Sequence, residues 1–275
     1  MPAVDYLWAV ALGCVQGVTE FLPVSSSGHL AVMQEVGGMQ GPRLLMSVAL
    51  HMGTLGSILA VYRSEAWEVV RGSAGAIVPG RWGRGAGGTA SDPDRRALVT
   101  AIAVIEVAMV TAPIGFWLEP HVEALGRDMC SLGGLFLITA LLLFGTRFLA
   151  EGRKEIGYLL ALPIGVAQGL AVFPGISRSG ITIVAALALG LGREEAVRFS
   201  FLAAIPVLVG AMILEGGFEA AEIASRWPVY LAGAVVAFAV GWASLRVLIG
   251  LTVRRRLHWF APYLAVLGLA LVFWR

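Results

Sequence analysis

Long apolar runs separated by short polar segments dominate this chain. Crossing a bilayer takes about 17 to 25 residues, and six runs approach or reach that length: 44–62, 97–118, 129–149, 197–214, 229–250 and 259–274. Two further apolar regions, 6–33 and 156–191, are interrupted by Gly, Pro and polar residues. Irregular backbone at membrane depth must be buried in protein or line a wet cavity. These two regions therefore predict re-entrant helical hairpins rather than plain spans.

The composition is that of an integral membrane protein. Of the 275 residues, 58% are hydrophobic and 14% are charged, whereas a soluble domain carries about a quarter charged residues. We therefore expect one all-α membrane domain over 1–275, with membrane lipids rather than nucleic acid as its surroundings. The N-terminus lacks the basic segment of a cleaved signal peptide. Cys14 and Cys130 predict neither a disulfide nor a zinc site.

The basic residues are distributed unevenly among the loops. Thirteen of the twenty Lys and Arg lie in four segments, 63–96, 150–156, 192–198 and 251–258. Because cytoplasmic loops are enriched in basic residues, these segments are predicted to face the cytoplasm and both termini the exterior. The Gly-rich stretch 72–96 is predicted to be a flexible connection near anionic lipid headgroups, or alternatively a partner site.

This orientation makes the two halves of the chain, 1–150 and 151–275, inverted copies of each other. Each half has one hairpin followed by three spans, and the two hairpins enter from opposite sides. At an offset of 152, six of the thirteen positions from Gln16 to Gly28 have an identical residue in the second half. Inverted repeats with broken helices usually place their ligand site where the repeats meet. We therefore expect one site built from both hairpins.

The first hairpin contains a polar cluster, Q-G-V-T-E-F-L-P-V-S-S-S-G-H, in an apolar setting. Ionisable groups at membrane depth are costly and usually mark function. Gln16 and Glu20 share a helix face, as do Ser26 and His29. A serine becomes a good nucleophile when a neighbouring base takes its proton, and His29 is suited to that role. Glu20 would orient His29 or hold a divalent cation, with Gln16 assisting. Close packing of membrane helices is the alternative use of such serines.

The second hairpin contains P-G-I-S-R-S-G. A helix that restarts there would direct free backbone N–H groups at an anion, and Arg178 adds a fork of donors that matches phosphate oxygens. An interfacial turn whose arginine reaches lipid headgroups is the alternative. The residues predicted to bind phosphate are Arg178, Ser177, Ser179, Thr182, Gly175, Ser25 and Ser27.

Four other ionisable residues give weaker signals. Glu106 lies in the middle of a predicted span, where it would line a cavity or pair with an arginine. His51 is a candidate for supporting the site. His121 and His258 are predicted to lie in loops or at the membrane interface.

The two clusters resemble the two signatures of the bacterial undecaprenyl pyrophosphate phosphatase family, which is linked to bacitracin resistance. Gln16 and Glu20 match its (E/Q)-x-x-x-E motif, and residues 174–182 match P-G-x-S-R-S-x-x-T. The chain length, the number of spans and the spacing between the motifs also agree. Since Gln16 is not a carboxylate, Glu20 is the only carboxylate that this motif supplies for a cation.

The resemblance implies hydrolysis of undecaprenyl diphosphate to undecaprenyl phosphate and inorganic phosphate, at the external side of the bacterial cytoplasmic (inner) membrane. It also implies a role in recycling the lipid carrier for cell-wall synthesis and stimulation by a divalent cation, Mg²⁺ or Ca²⁺. In this interpretation Ser26 attacks the terminal phosphorus and His29 serves as base and then as acid. A phosphorylated His29, or water activated by His29, stays open as the alternative.

Three other classes of protein were compared with this interpretation. Lipid phosphatases related to phosphatidic acid phosphatase type 2 have similar short motifs, but here no His follows Arg178 before His258. A polyprenyl-phosphate transporter or flippase suits the inverted repeat but needs no Ser–His pair beside a carboxylate. A non-catalytic lipid-binding scaffold has no need of that pair either. A homodimer is compatible with the sequence.

Overall fold

The computed structural model describes residues 2–37, 44–77, 93–214 and 220–274. Within these ranges the chain is helical, with no strand beyond an isolated bridge between Lys154 and Leu191. The α-helices, in chain order, are α1 Pro2–Thr19, α2 Ser26–Gly37, α3 Leu44–Val61, α4 Arg63–Ile77, α5 Pro93–Arg127, α6 Met129–Gly145, α7 Tyr158–Leu170, α8 Arg178–Ala188, α9 Arg193–Leu214, α10 Ala220–Val253 and α11 Ala261–Val272. Two short 3-10 helices are Thr146–Phe148 and Leu257–Phe260.

Four of these helices, α5, α6, α9 and α10, contain segments long and apolar enough to cross a membrane. Helix α3 and the first part of α4 make a further candidate, with a bend of 87° between them. The described part of the chain is therefore an all-helical, multi-pass membrane protein with four candidate spans, or five if the bent pair is one span. The predicted spans that coincide with the four long helices are 97–118, 129–149, 197–214 and 229–250.

One detail of the predicted arrangement is wrong. Residues 63–77, predicted as loop, form α4. The first turn of α4 contains Glu65, and a negative charge there stabilises the N-terminus of a helix through the helix dipole. The predicted span 259–274 is not confirmed as a crossing helix: it coincides with a shorter apolar segment, Leu257–Val272, made of the second 3-10 helix and α11. Most of the predicted basic connection, 78–92, lies outside the described residues.

Both interrupted regions of the sequence contain a helix, a turn and a second helix, as predicted. Residues 20–25 separate α1 from α2, and residues 171–177 separate α7 from α8. At the offset of 152, the first residue of α8, Arg178, corresponds to the first residue of α2, Ser26. The two halves therefore restart their second helix at the same position.

Pairs of glycines hold both hairpins against long helices of the opposite half. Gly13 and Gly17 of α1 pack on α10, and Gly165 and Gly169 of α7 pack on α5. A Cβ added at Gly13 would lie 2.7 Å from a backbone oxygen of α10, and one at Gly169 2.7 Å from a side chain of α5. Small residues allow this close approach between membrane helices. The two pairs are also 152 residues apart, so the packing repeats along with the sequence.

The turn after α1 is anchored in the main hydrophobic core. Phe21 is fully buried in this turn, and its ring centroid lies 5.6 Å from that of Phe201 on α9. Ile183 of α8 and Leu245 of α10 belong to the same buried cluster. Because burying such a side chain contributes about 1.5–3 kcal/mol, this core fixes the polar turn relative to both halves.

Ion pairs gather the predicted cytoplasmic segments at one end of the molecule. The Glu151 carboxylate lies 3.0 Å from Arg193 and 3.0 Å from Arg255. Arg96 lies 3.5 Å from Glu155. These contacts join described residues from all four basic segments, so those residues lie at the same end of the molecule. The Arg255–Glu151 and Arg96–Glu155 pairs are exposed, and exposed pairs contribute about 0–1 kcal/mol each. The Arg193 side chain, in contrast, is buried.

Helices α6 and α11 approach each other through Gly133 and Gly268. A Cβ added at Gly133 would lie 2.6 Å from the Gly268 carbonyl oxygen, and one at Gly268 would lie 2.8 Å from the Gly133 oxygen. The contact is thus reciprocal and leaves no room for a methyl group on either side.

We expect Gly133→Ala to lower the thermal unfolding temperature in detergent, because the added methyl must push α6 away from α11. Overpacking of this kind costs about 1–3 kcal/mol. The neighbouring Gly134 faces open space, so Gly134→Ala is the matched control. Equal unfolding temperatures for the two variants would contradict the close α6–α11 contact.

Candidate functional site

The polar turns of the two hairpins meet inside the helical bundle. The backbone N–H of Gly175 donates to Ser25 Oγ over 3.0 Å, across the two halves. The Arg178 guanidinium forms an ion pair with the Glu20 carboxylate. A Cβ added at Gly28 would lie only 2.8 Å from the Gly175 nitrogen, so the start of α2 and the second turn are in close backbone contact. The structure therefore brings together the two clusters that the sequence singled out.

Glu20 is the centre of this contact. It follows α1 directly, and its side chain is only 4% exposed. One carboxylate oxygen, Oε2, accepts hydrogen bonds from Gln16 Nε2 at 3.1 Å and from Ser26 Oγ at 2.9 Å. The other, Oε1, accepts from Arg178. A buried charge is tolerable only with such partners, and here each half supplies one or more of them.

Ser25, whose hydroxyl connects the two turns, has an unusual backbone conformation. Its φ of 69° lies in the left-handed region, which is uncommon for a residue other than glycine. Its hydroxyl caps α2 by accepting from the Gly28 N–H at 3.3 Å, and it also lies 3.5 Å from Ser27 Oγ. Ser25 is buried, whereas Ser27 is exposed. This geometry leaves the adjacent Ser26 hydroxyl beside Glu20.

The second cluster begins helix α8 with a similar cap. Ser177 Oγ accepts from the Gly180 N–H at 3.1 Å and lies 3.3 Å from Ser179 Oγ. Thr182 donates back to the Arg178 carbonyl oxygen at 2.8 Å. Ser177 and Arg178 are thus placed at the N-terminus of α8, where free N–H groups and the helix dipole favour an anion.

A cavity of about 620 Å³ opens beside these groups. Its polar end is lined by Glu20, Ser25, Ser26, Ser27, Ser177 and Arg178. Its apolar walls come from α5 and α9, with Phe116 and Ala112 on one side and Pro206 and Leu214 on the other. One end therefore suits an anion, and the other suits a hydrocarbon chain.

Three of the predicted phosphate-binding residues lie outside the lining of this cavity. Ser179 and Thr182 line a small space of about 10 Å³ on another side of the Glu20–Arg178 pair. Gly175 is buried, and its N–H is used by Ser25. These three residues shape the turn and the start of α8, and their direct contact with phosphate stays a prediction.

The structure does not bring His29 to Ser26. The Nδ1 atom of His29 lies 2.8 Å from the Ser25 carbonyl oxygen, and its Nε2 atom lies 2.6 Å from the Tyr263 hydroxyl. Its ring stacks on Tyr263 and meets Phe136 edge to face. Both nitrogens are therefore engaged away from the serine, because the ring turns toward α6 and α11. The pairings with Ser26 and Glu20 expected from the spacing are absent here, and a catalytic role for His29 stays a prediction.

The second half has no carboxylate at the position of Glu20. At the offset of 152, Gln16 corresponds to Gln168 and Glu20 corresponds to Val172. Gln168 and Val172 both line the cavity, and Gln168 Oε1 is buried with no hydrogen-bond partner among the described residues. The repeat is therefore asymmetric at the residue that carries the charge.

Sequence reasoning missed Thr139 and Tyr263. The Thr139 hydroxyl donates to the Gly175 carbonyl oxygen at 2.8 Å and accepts from the Ser177 N–H at 3.3 Å. It thereby fixes the second turn from α6. A lone threonine in an apolar helix gives no distinctive signal, since its hydroxyl usually bonds its own helix. Tyr263 and His29 are in contact although they lie more than 230 residues apart in the sequence, and no local sequence pattern predicts such a contact.

A divalent cation finds few ligands in this arrangement. The described residues contain no group of three or more His, Cys, Asp or Glu side chains that would hold a metal. Both oxygens of Glu20 are engaged, and the neighbouring guanidinium repels a cation. Mg²⁺ and Ca²⁺ each take six or more oxygen ligands. The protein side chains at this site therefore do not form a cation site on their own.

Of the four other ionisable residues that the sequence singled out, one lines the cavity. His51 lines the cavity, and its Nδ1 lies 2.9 Å from the Ser47 carbonyl oxygen. Glu106 is half-buried on α5, outside the cavity lining. His121 is exposed near the end of α5, and His258 lies in the second 3-10 helix.

Comparison with known proteins gives one consistent result. Residues 9–270 match the family described as bacitracin resistance protein BacA. An undecaprenyl-diphosphatase of Desulfatibacillum aliphaticivorans is 39% identical over 266 residues, covering 96% of both chains. One from Desulfosudis oleivorans is 40% identical over 274 residues, covering 94% of each. One from Treponema denticola is 37% identical over 271 residues, covering 97% of each.

The Glu20–Arg178 pair predicts strong energetic coupling between the two halves. Glu20→Gln and Arg178→Gln should each lower the free energy of unfolding in detergent, by up to about 3–5 kcal/mol, because each leaves a buried charge unpaired. The double variant should lose clearly less than the sum of the two. Strict additivity would contradict the pairing. Asp5→Asn, which breaks the exposed Asp5–Arg226 pair, is the control and should cost at most about 1 kcal/mol.

Proposed function

The chain belongs to the bacitracin resistance protein BacA family, and on that premise we propose that it hydrolyses undecaprenyl diphosphate to undecaprenyl phosphate and inorganic phosphate. The relatives that match it over nearly their whole length are undecaprenyl-diphosphatases. The observation that carries the proposal is the convergence of Ser26 and Arg178 on Glu20, at the polar end of a cavity with apolar walls. A lipid with an anionic head fits a cavity of that character. The product supplies the lipid carrier for cell-wall synthesis, and this recycling accounts for bacitracin resistance.

The diphosphate binds at the N-terminus of α8. Arg178 supplies a planar fork of donors for the terminal phosphate, and the first free N–H groups of α8 add their partial charge. Ser177 lies at the same helix end, and Ser25 and Ser27 face the cavity from the other half. These donors neutralise the charge that develops on the transferring phosphoryl group.

Ser26 is the nucleophile in this proposal. Its hydroxyl already donates to Glu20 Oε2 at 2.9 Å, so the carboxylate accepts the proton as Oγ bonds to the terminal phosphorus. The bond from that phosphorus to the bridging oxygen breaks, and undecaprenyl phosphate leaves. Water then attacks the phosphorus of the phosphoserine, the P–O bond to Ser26 breaks, and Glu20 returns to Oγ the proton that it accepted in the first step, while the protons of the water stay on the phosphate. Inorganic phosphate is released.

The ion pair makes this step dependent on substrate. Before binding, Arg178 holds Glu20 in an ion pair. When the diphosphate arrives, it competes with the carboxylate for the guanidinium. Glu20 is then free of its cationic partner at the moment when Ser26 must lose a proton. Binding and activation of the base are thus one event.

The prenyl tail runs along the apolar walls and leaves sideways into lipid between α5 and α9. Both helices contribute apolar residues to the cavity, and Gly115 of α5 and Gly210 of α9 have open space in front of them. A protein that accepts its substrate laterally needs such a gap in its helical wall.

Glu20, with Gln16 one helical turn away, would be the protein ligand of a divalent cation, Mg²⁺ or Ca²⁺, that enters with the substrate. Such an ion would lower the charge of the diphosphate. The residues that bind and orient the phosphate are those of the two turns.

The architecture proposed for this function is an inverted repeat of 1–150 and 151–275 within one membrane domain, with six spans and two re-entrant hairpins. The common start of α2 and α8 and the repeated glycine pairs support it. The protein is placed in the bacterial inner membrane. Because the four basic segments lie at one end, that end is assigned to the cytoplasm and the site opens to the exterior.

A transporter would need Arg178 and the hydroxyl groups to hold the headgroup. It has no use for a serine hydroxyl bonded to a buried carboxylate. The Ser26–Glu20 contact therefore favours hydrolysis.

Purified protein in detergent should release inorganic phosphate from undecaprenyl diphosphate. Ser26→Ala and Arg178→Lys should each reduce the rate at least about 10²-fold, because one removes the nucleophile and the other the planar fork. Ser64→Ala, at an exposed serine of α4, should leave it unchanged. A chelator should reduce the rate, and added Mg²⁺ or Ca²⁺ should restore it. Folded wild type that releases no phosphate with either cation would overturn the proposal, and lipid movement across liposomes would then be measured.

The tail path can be tested separately from the chemistry. Gly210→Leu should raise KM several-fold with a smaller effect on kcat, because the side chain fills open space in the cavity wall without a backbone clash. Gly134→Leu is the control, since Gly134 also faces open space but lies outside the cavity lining. An unchanged KM for Gly210→Leu would contradict a tail path between α5 and α9.

A further inference from the structure

Ser25 holds a backbone conformation that its surroundings must enforce. Its φ of 69° is costly for a residue with a Cβ. The same residue joins the two halves through Gly175 and precedes Ser26 in the chain. If Ser25 relaxed, the Ser26 hydroxyl and the second turn would both move. Whatever holds Ser25 therefore controls the geometry of the site.

His29 supplies one of the bonds that hold it. The Ser25 carbonyl oxygen lies 2.8 Å from His29 Nδ1, one helical turn further along α2. Since a carbonyl oxygen only accepts, Nδ1 must carry the proton. A neutral imidazole that is protonated at Nδ1 has an unprotonated Nε2. That second nitrogen then needs a donor.

Tyr263 of α11 provides the donor. Its hydroxyl lies 2.6 Å from His29 Nε2, and the two rings stack with centroids 5.8 Å apart. Phe136 closes the other side of the imidazole, edge to face at 5.4 Å. The imidazole is thus fixed in position by two rings and in tautomer by one hydroxyl.

We propose that Tyr263 is a positioning residue for the hydrolysis: through His29 it holds Ser25 in its left-handed conformation, and so aims Ser26 at the phosphate. Three contacts make the connection: the Tyr263 hydroxyl donates to His29 Nε2, His29 Nδ1–H donates to the Ser25 carbonyl oxygen, and Ser25 Oγ accepts from the Gly175 N–H. The last helix of the second half thereby stabilises the nucleophile of the first. His29 acts by holding the backbone, which accounts for its absence from the cavity lining. This inference rests on the proposed function for its kinetic test.

The kinetic test compares two exposed tyrosines. Tyr263→Phe keeps the ring but removes the donor, and should lower kcat about 3- to 10-fold, the loss expected for one hydrogen bond, with KM nearly unchanged. Tyr158→Phe is the matched control, at an exposed tyrosine that starts α7 outside the cavity, and should behave as wild type. Equal kcat values for the two variants would overturn the proposal.

Substitution of His29 distinguishes two possible roles of this residue, holding the Ser25 backbone in place and transferring protons. In His29→Asn the amide Nδ2 takes about the place of Nδ1 and still donates to the Ser25 carbonyl, but it cannot act as a base. A positioning role predicts that His29→Asn keeps activity within about tenfold of wild type, whereas His29→Ala loses about 10²-fold or more. If His29→Asn is as inactive as His29→Ala, His29 transfers protons and the positioning role is wrong.

A spectroscopic measurement tests the same contact without any turnover. The chain has four histidines, and ¹⁵N labelling of these side chains gives separate ring signals, with His29 identified by its loss in His29→Asn. The wild type should show His29 protonated at Nδ1, and Tyr263→Phe should shift it toward a mixture of tautomers. An unshifted His29 in Tyr263→Phe would overturn the proposal. Wild type that shows the expected tautomer yet releases no phosphate would instead contradict only the proposed hydrolysis.

Discussion

The rest of the site depends on the buried ion pair between Glu20 and Arg178. Each group belongs to a different half of the chain, and each would be costly to bury alone. Their pairing decides how the two turns meet, and the turns then decide where Ser26 and the start of α8 point. The carboxylate also accepts from Gln16 and Ser26. One contact therefore stabilises the assembled site and keeps the carboxylate, the guanidinium and the Ser26 hydroxyl within hydrogen-bond distance.

The ion pair is effective because the helices around it leave the turns little freedom. Helix α1 is pressed through two glycines against α10, and α7 is pressed in the same way against α5. Each hairpin is thus held by a long helix of the opposite half. Thr139 adds two hydrogen bonds to the second turn from α6. The geometry of a few polar atoms is in this way tied to the packing of the whole bundle.

The pattern of the sequence was sufficient for the helical class, the four long helices, both helix breaks and the meeting of the two polar clusters. Those features follow from local apolar runs, prolines and glycines, and from the high cost of burying charge. The direction of the His29 ring could not be predicted from the sequence pattern. Spacing along a helix shows which residues share a face, but it does not show which residues of other helices they contact. Tyr263 and Thr139 lie far from the clusters in sequence. Their contributions depend on tertiary packing, which leaves no periodic signal.

The asymmetry at Glu20 and Val172 means that the two halves supply different chemical groups to the site. The first half provides a carboxylate and a serine, and the second provides an arginine and a helix N-terminus. Two copies of the first half would meet an anion with two negative charges and no guanidinium. Two copies of the second half would offer the anion two guanidinium groups and no carboxylate at this position. The helix starts and the glycine contacts repeat between the halves, but the carboxylate and the guanidinium each come from one half and meet where unlike halves touch.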